Sequence, residues 1–364
     1  MTSLLNQAAW QPKARTRSLR VGPGPIPSPN EHEVVIKVAY AAVNPTDWKM
    51  QDTPYFELEY PFIWGNDVAG TIVQLGSEVT QFKVGQRVIG HCDSLLTRKA
   101  TNAGFQLYTT VREILVAEVP DSLSLANAAV LPLSVSTAAS ALYVQLDLPF
   151  PSLSPKSTGK RIVLWGGSSS VGSSAIQLAV ASGLEVLATA SEANHDLVRS
   201  LGASQAFDHR DPDVVDQIAS LVRQGDYVVD CIGSTDTQAK CGQILGRIGG
   251  GTLPVMLWPQ GGLPENVRAV FVNGLDPGMV DLDVGNAVWR KFIPEALAAG
   301  KFQAKPDPRI VPGGLEKGYL GQSEWCTKTM DFPQFSRGSL EFQILFEDES
   351  EESEVFETES HSTL

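Results

Sequence analysis

The sequence predicts an α/β protein in which a small β-rich, barrel-like domain precedes a doubly wound parallel sheet. Two patterns carry this. Between residues 31 and 120, short Val- and Ile-rich runs follow one another between Gly, Pro and Asp residues, as strands joined by tight turns do. Beyond Gly159, apolar runs alternate with helical stretches as βαβα, the pattern of a parallel sheet with helices on both faces. A chain of 364 residues also exceeds what one hydrophobic core organises, so two domains are expected.

Taken in order, EHEVVIKVAYAAV (31–43), VAGTIVQLG (68–76), QRVIG (86–90) and REILVAEVP (112–120) read as strands of a first domain spanning 1–130. ANAAVLPLSVSTAASALYV changes to a helical period in which small residues dominate. RIVLWG, EVLATA, QAFDH, YVVDCIG and GTLPVMLW read as parallel strands of a second domain, 131–275, separated by SSAIQLAVAS, HDLVRSLG and DVVDQIASLVRQ. Within 276–322, WRKFIPEALAAGKF reads as a helix and PDPRIVPGG as extended chain. Residues 323–364 show no periodicity and are expected to form a divergent, disordered acidic tail.

The net charge of −13 gathers at that end, where nine Asp and Glu and no Lys or Arg lie between Glu341 and Leu364. The rest of the chain is close to neutral, so nucleic acid is not an expected partner. Nor is a membrane, because no uninterrupted apolar run reads as long enough to span one. Cys92, Cys231, Cys241 and Cys326 form no CxxC pair, which points to neither a disulfide framework nor a structural zinc. That usage fits a reducing compartment, the cytoplasm. The start, MTSLLNQAAWQPKARTR, lacks the apolar core of a secretory signal, and Arg15, Arg17 and Arg20 read as part of an exposed first hairpin rather than a transit peptide.

VLWGGSSSVGSSAIQLA (163–179) is the strand–turn–helix unit with the strongest chemical content. Against G-x-G-x-x-G it supplies Gly167, Ser169 in place of the middle glycine, and Gly172. Ser169 either displaces a bound pyrophosphate outward or offers its hydroxyl as a further donor, while the helix that follows presents free N–H groups to an anion. About twenty residues on, where NAD-binding proteins hold the ribose hydroxyls with an acidic side chain, stand Ser191 and then Glu192. Ser191 leaves room for a 2′-phosphate, and His195, Arg199, His209 and Arg210 offer charge or hydrogen bonds, so NADPH is the expected coenzyme. Glu192 is the contrary feature, and Arg199 reads as a solvated helix face. His91 and Cys92, adjacent on one strand end, point opposite ways and read as packing rather than as metal ligands.

AAVNPTDWKM (41–50), YPFIWGNDVAGTIVQLGSEVTQFKVGQRVIG (60–90), Leu131-Pro132 with STAASAL, WGGSSSVG and SLGASQAFDHRDP (200–212) together resemble the medium-chain dehydrogenase/reductase superfamily over roughly residues 5–320. Within it the chain is most similar to the zinc-free, trans-acting enoyl reductases of fungal polyketide biosynthesis. The resemblance implies a GroES-like catalytic domain, a Rossmann NADP-binding domain, and a return to the catalytic domain in 276–322. Zinc enzymes of this fold carry a Cys ligand at Asn44 and a Gly-His-Glu at Gly65-Asn66-Asp67, so no catalytic zinc is implied. By resemblance, Thr46, Asp47, Trp48 and Lys49 line the cleft and touch the coenzyme, as does the turn of Ser168, Ser169, Ser170 and Val171. Ser191, Glu192, Ala193 and Asn194, with His209, surround the adenosine phosphate; Val255 and Met256 lie near the nicotinamide; Thr137, Ala138, Ala139, Ser140, Ala141, Leu142, Tyr143 and Val144 face the substrate.

The implied reaction is reduction of an α,β-unsaturated thioester, free or carrier-bound, with Lys49 and Thr137 steadying the developing enolate and a polyketide synthase as partner. A quinone or enone reductase acting on free small molecules, and an inactive nucleotide-binding homologue, are the alternatives. The oligomeric state is left open. Family members close with a helix and a strand that return to the catalytic domain; here SEWCTKTMDFPQF follows PGGLEKGYLGQ without a recognisable counterpart, so a missing strand and an open sheet edge are expected.

Overall fold

In a computed structural model of the chain, residues 5–54, 57–311, 314–315 and 344–347 are described. The chain opens with the hairpin Gln7–Gln11 (β1) and Arg20–Pro23 (β2), followed by the long strand Glu33–Val43 (β3), the helix Pro45–Asp52 (α1) and the short strand Phe62–Ile63 (β4). Asp67–Leu75 (β5), Arg87–His91 (β6), the turn of helix Ser94–Thr97 (α2), Tyr108–Arg112 (β7) and Val116–Glu118 (β8) complete the β-rich part. β3 pairs with both β5 and β7, which is why Val34, Val35 and Ile36 are wholly buried and its sequence shows little polar alternation.

A connecting segment, Leu125–Ala128 (α3) and Pro132–Ala139 (α4), runs on as a π-helical stretch over Ser140–Gln145. Arg161–Trp165 (β9), Ser170–Ala181 (α5), Glu185–Ala190 (β10), His195–Ser200 (α6), Gln205–Asp208 (β11), Val214–Ala219 (α7), Tyr227–Asp230 (β12), Thr235–Arg247 (α8), Gly251–Val255 (β13) and Val267–Phe271 (β14) build the second sheet. Its strand order is β11-β10-β9-β12-β13-β14, all parallel. That is the doubly wound order in which the first strand, β9, lies at the reversal point, with the ligand crevice at the carboxyl ends of the strands. Ile162, Val163, Leu164 and Trp165 are all buried, as a strand covered by helices on both faces must be.

Asp276–Met279 (α9), Leu282–Gly285 (α10) and Ile293–Ala298 (α11) follow, and Arg309–Val311 (β15) and Ile344–Glu347 (β16) return to the first sheet, whose order is β15-β16-β3-β5-β6-β8.

Four expectations are corrected by these elements. The run 112–120 is not one strand: β7 ends at Arg112, a turn of 3-10 helix occupies Glu113–Leu115, and β8 is a separate short strand. β14 and α8 have no counterpart in the sequence reading. The closing strand expected to be missing is present as β16, antiparallel to β3 with Leu345 opposite Ala42 and parallel to β15 with Leu345 opposite Ile310. It occupies four residues of the segment expected to be disordered; the remainder of 323–364, with Cys326, lies outside the described residues. Finally, Leu125–Gln145 is long and apolar enough to cross a membrane, but 83% of its most apolar window is buried inside the protein, where it packs as a core helix.

Candidate active site

The turn between β9 and α5 is built around Ser169, the N-cap of α5. Its Oγ accepts the Gly172 amide at 3.0 Å and donates to the Gly166 carbonyl at 2.8 Å. The single hydroxyl proton is thus engaged within the turn, which speaks against the second of the two alternatives for Ser169, a hydroxyl donated to phosphate. Gly172 is required by close packing, because a Cβ there would lie 2.2 Å from the Gly166 carbonyl oxygen. A Cβ on Gly167 would come within 2.9 Å of the Ala188 Cβ. Gly166, absent from the sequence reading, holds φ at +83°, which favours glycine. Ser168, Ser170 and Val171 are half-buried at the mouth of the turn. The first-turn amides of α5 there form a cradle suited to an anionic bridge.

At the end of β10, Ser191 Oγ accepts from Asn194 Nδ2 at 3.0 Å. Ser191 and Asn194 are half-buried, while Glu192 and Ala193 are exposed. His209 is half-buried beside them, its amide donating to the Ala190 carbonyl and its Nδ1 3.8 Å from Asp208 Oδ1. His195 Nε2 is buried without a protein partner. Arg199 is exposed and faces Asp196 at 3.5 Å, as a solvated helix face does.

In the first domain, α1 carries Thr46, Trp48 and Lys49, all half-buried. Lys49 Nζ lies 5.5 Å from the Trp48 ring centroid and pairs with no carboxylate among the described residues. Burial lowers its pKa from the ordinary lysine value, because a partly desolvated ammonium is disfavoured. Asp47 departs from expectation. It is wholly buried, its Oδ2 accepting the Asn44 amide at 2.8 Å and its Oδ1 accepting Asn66 Nδ2 at 2.7 Å and the Gly65 amide at 3.2 Å. It is a structural acceptor inside the domain and does not line the cleft.

The substrate-facing stretch is corrected in the same way. Ala138, Ala139, Ser140, Ala141 and Leu142 are 0% exposed and Tyr143 is 4% exposed; Tyr143 Oη bonds Ser182 Oγ at 2.9 Å. Their small size serves the contact of α4 with α5. Only Thr137, at 8% exposure, and half-buried Val144 reach toward space. Thr137 Oγ1 donates to the Leu133 carbonyl at 2.7 Å and stands so near Gly274 that a Cβ there would lie 2.7 Å from it. Val255 is buried at the end of β13, and Met256 is half-buried after it.

Comparison with known proteins follows this geometry. Residues 30–121 match the alcohol dehydrogenase GroES-like domain and residues 170–294 the zinc-binding dehydrogenases. The chain belongs to the medium-chain dehydrogenase/reductase superfamily. It is 92% identical over 317 residues to the trans-enoyl reductase himH of Aspergillus japonicus, a match covering 87% of this chain and 93% of that protein. It is 33% identical over 306 residues to lovC of Aspergillus terreus, the enoyl reductase component of lovastatin nonaketide synthase, covering 83% and 78% of the two. An alcohol dehydrogenase superfamily protein from Novosphingobium aromaticivorans shares the fold, with a TM-score of 0.72 at 24% identity over 93% of this chain and 99% of that one.

Medium-chain dehydrogenases/reductases of the enoyl reductase kind use a nicotinamide coenzyme, and the cradle at the start of α5 fits one. Zinc does not fit. At the positions where zinc members carry ligands stand two carboxamides, Asn44 and Asn66, and the Asp67 carboxylate, which accepts the Leu133 amide at 2.6 Å and Asn44 Nδ2 at 3.0 Å. With no thiolate or imidazole, and with the carboxylate oxygens facing N–H donors, this donor set is unsuited to the ion. His91 and Cys92 have separate partners: His91 Nδ1 lies 2.9 Å from Ser136 Oγ, and Cys92 Sγ lies 3.8 Å from Thr109 Oγ1. Burial lowers the His91 pKa to about 3, so the ring is neutral. Trp289 Nε1 donates to the same Ser136 Oγ at 2.9 Å. Sequence reasoning missed this Ser136 junction, which joins three residues from distant parts of the chain and leaves no local signal.

Proposed function

We propose that the protein is an NADPH-dependent, zinc-free reductase of activated C=C bonds, acting on an α,β-unsaturated thioester carried by a fungal polyketide synthase. Two features of the chain support this reading. One is a glycine-packed helix start suited to a pyrophosphate; the other is Lys49, a half-buried ammonium without a carboxylate partner among the described residues. The similarity to himH and to lovC supports the enoyl thioester as substrate and the synthase as partner. The position of Ser191, with His209 beside it, favours a 2′-phosphate over a free ribose diol. Three buried thiols support a reducing compartment, the cytoplasm, as the place of work.

The coenzyme, when bound, would supply a hydride to the β-carbon, and the enolate so formed would take its proton at the α-carbon from water. The chain's part is to bind, orient and stabilise. First-turn amides of α5 hold the pyrophosphate. Lys49 meets the enolate oxygen as negative charge develops, and its low hydration strengthens that interaction. Thr137 adds a second hydrogen bond once its hydroxyl turns away from Leu133.

The test is oxidation of NADPH by the purified full chain with crotonyl thioester, with a quinone, and with neither. Turnover on the thioester exceeding that on the quinone supports the reading. Quinone turnover alone moves the protein to the free-enone class, and saturable coenzyme binding without turnover makes it a silent homologue.

A further inference from the structure

The two helices that carry Lys49 and Thr137, Pro45–Asp52 and Pro132–Ala139, are far apart in the sequence, and no direct hydrogen bond between them is present among the described residues. Both bond to one side chain. Asp67, 0% exposed at the start of β5, accepts the Leu133 amide at 2.6 Å with Oδ1 and Asn44 Nδ2 at 3.0 Å with Oδ2. Asn44 is the N-cap of α1, five residues before Lys49. Leu133 is the second residue of α4, one turn before Thr137, and its amide has no acceptor within the helix. The α4 N-cap residue, Leu131, has no side-chain acceptor to offer, so the cap is supplied from the barrel.

We infer that Asp67 is the positioning residue of the active site: its two oxygens clamp the start of α1 to the start of α4 and so fix the separation of Lys49 and Thr137. The carboxylate joins two chain segments at one point. Each arm runs from an N–H donor to a wholly buried carboxylate, where losing a hydrogen bond costs more than at the surface. The rigid element on either side then moves as a unit, and a shift on the order of 1 Å at the reacting groups is enough to slow a reaction about 100-fold. The inference rests on the reductase reading for its kinetic test and on geometry alone for its second test.

Asp67→Leu keeps the branching and the number of side-chain heavy atoms and removes both arms. Asp67→Asn keeps the Leu133 arm, since its Oδ1 still accepts that amide, and gives up the Asn44 arm, because turning Asn44 end for end would set its NH2 against the Asp47 amide that its side-chain oxygen accepts. The expected result is a kcat on crotonyl thioester lowered about 30-fold or more in Asp67→Leu and by less in Asp67→Asn, with the dissociation constant for NADPH moved less than about threefold in either. A near-normal kcat in Asp67→Leu overturns the clamp. So does an Asp67→Asn variant with the kcat of wild type, which would mean that the Asn44 arm holds nothing.

Should Asp67→Leu fail to fold, Asp67→Asn cuts the α1 arm alone and leaves the Asn44 cap on the Asp47 amide in place. Hydrogen exchange is then expected to quicken in 45–52, and an exchange rate there equal to wild type overturns the proposal. Exchange needs no turnover, so a wild-type protein inactive on every enoyl thioester removes the reductase reading while the clamp still stands or falls on its own measurement.

Discussion

The Ser169 hydroxyl accepts the Gly172 amide at 3.0 Å, closing the turn that leads into α5 from inside. Because the same oxygen donates to the Gly166 carbonyl, it shapes the cradle without reaching the ligand. Ser169→Ala is therefore expected to lower stability by about 1 kcal/mol, the usual effect of losing an N-cap, and to change NADPH affinity less than about threefold. Gly172→Ala is expected to abolish saturable binding, because its Cβ would lie 2.2 Å from the Gly166 carbonyl oxygen and force the turn open. Urea unfolding and a coenzyme fluorescence titration read the two effects separately.

Lys49 and Thr137 differ in readiness. Lys49 has no carboxylate partner among the described residues and only the Trp48 ring beside it, whereas the Thr137 hydroxyl already donates to Leu133. Lys49→Ala is expected to lower kcat on crotonyl thioester by about 100-fold, the scale of removing a charge-stabilising donor from an oxyanion site. Thr137→Val is expected to lower it less than about tenfold. Steady-state kinetics with both variants checks the order, and a larger loss at Thr137 would reverse the assignment.

How far these sites were legible in the sequence follows from how local each one is. The β9–turn–α5 unit is contiguous, so Gly167, Ser169 and Gly172 announced it; only the direction of the Ser169 hydroxyl needed the fold. α1 was legible as a segment but not by face: helical geometry turns Asp47 inward while Trp48 and Lys49 stay half-exposed. The small residues of 138–143 carry two meanings at once, close helix packing and space for a ligand, and burial decides for packing. β16 is four residues long, and its register is set by β3 and β15, hundreds and tens of residues away, so nothing within 344–347 declares it a strand. Asp67 was visible only as a failed zinc ligand, since its partners at 44 and 133 are neighbours in space alone.

β16 lies between β15 and β3, so every backbone group in it faces a partner strand on one side or the other. Leu345→Pro, in the middle of that strand, removes one ladder hydrogen bond and places a ring against a neighbouring strand. A fall of about 3–6 °C in melting temperature is expected, the scale of 1 to 2 kcal/mol in a chain of this size. An unchanged melting temperature would show that the strand adds nothing to the sheet edge.

Asp47 makes stability depend on pH. Burial raises its pKa from 3.8 to about 7, against the pull of three N–H donors. Between those values the folded carboxyl keeps a proton that the unfolded one has released, so the native state binds more protons and stability falls as pH rises. The contribution is complete below about pH 4 and gone above about 7, with a slope of at most about 1.4 kcal/mol per unit between. Asp47→Asn, which cannot titrate, is expected to show a flatter stability profile across that window. Parallel denaturation curves at pH 4.5, 6 and 7.5 (test conditions on the order of the window just given) decide it, and identical profiles would remove Asp47 as the titrating group.

Coenzyme choice turns on Ser191 and Glu192, neighbours with opposite consequences. A carboxylate at the end of β10 accepts from both ribose hydroxyls and repels a 2′-phosphate; a serine does neither. Ser191 is half-buried and held by Asn194 Nδ2, so its hydroxyl is oriented in place, while Glu192 is exposed. On the NADPH reading the side chain that would face the ribose is the neutral one, with His209 half-buried nearby. Ser191→Asp is expected to lower kcat/KM for NADPH by about tenfold or more, equal to about 1.4 kcal/mol of lost binding, and to raise it for NADH. His209→Ala is expected to weaken NADPH severalfold and leave NADH unchanged, because only the phosphate would meet the imidazole. Michaelis constants for both coenzymes with wild type and the two variants provide the check. A wild type that prefers NADH would place Glu192, not Ser191, against the ribose.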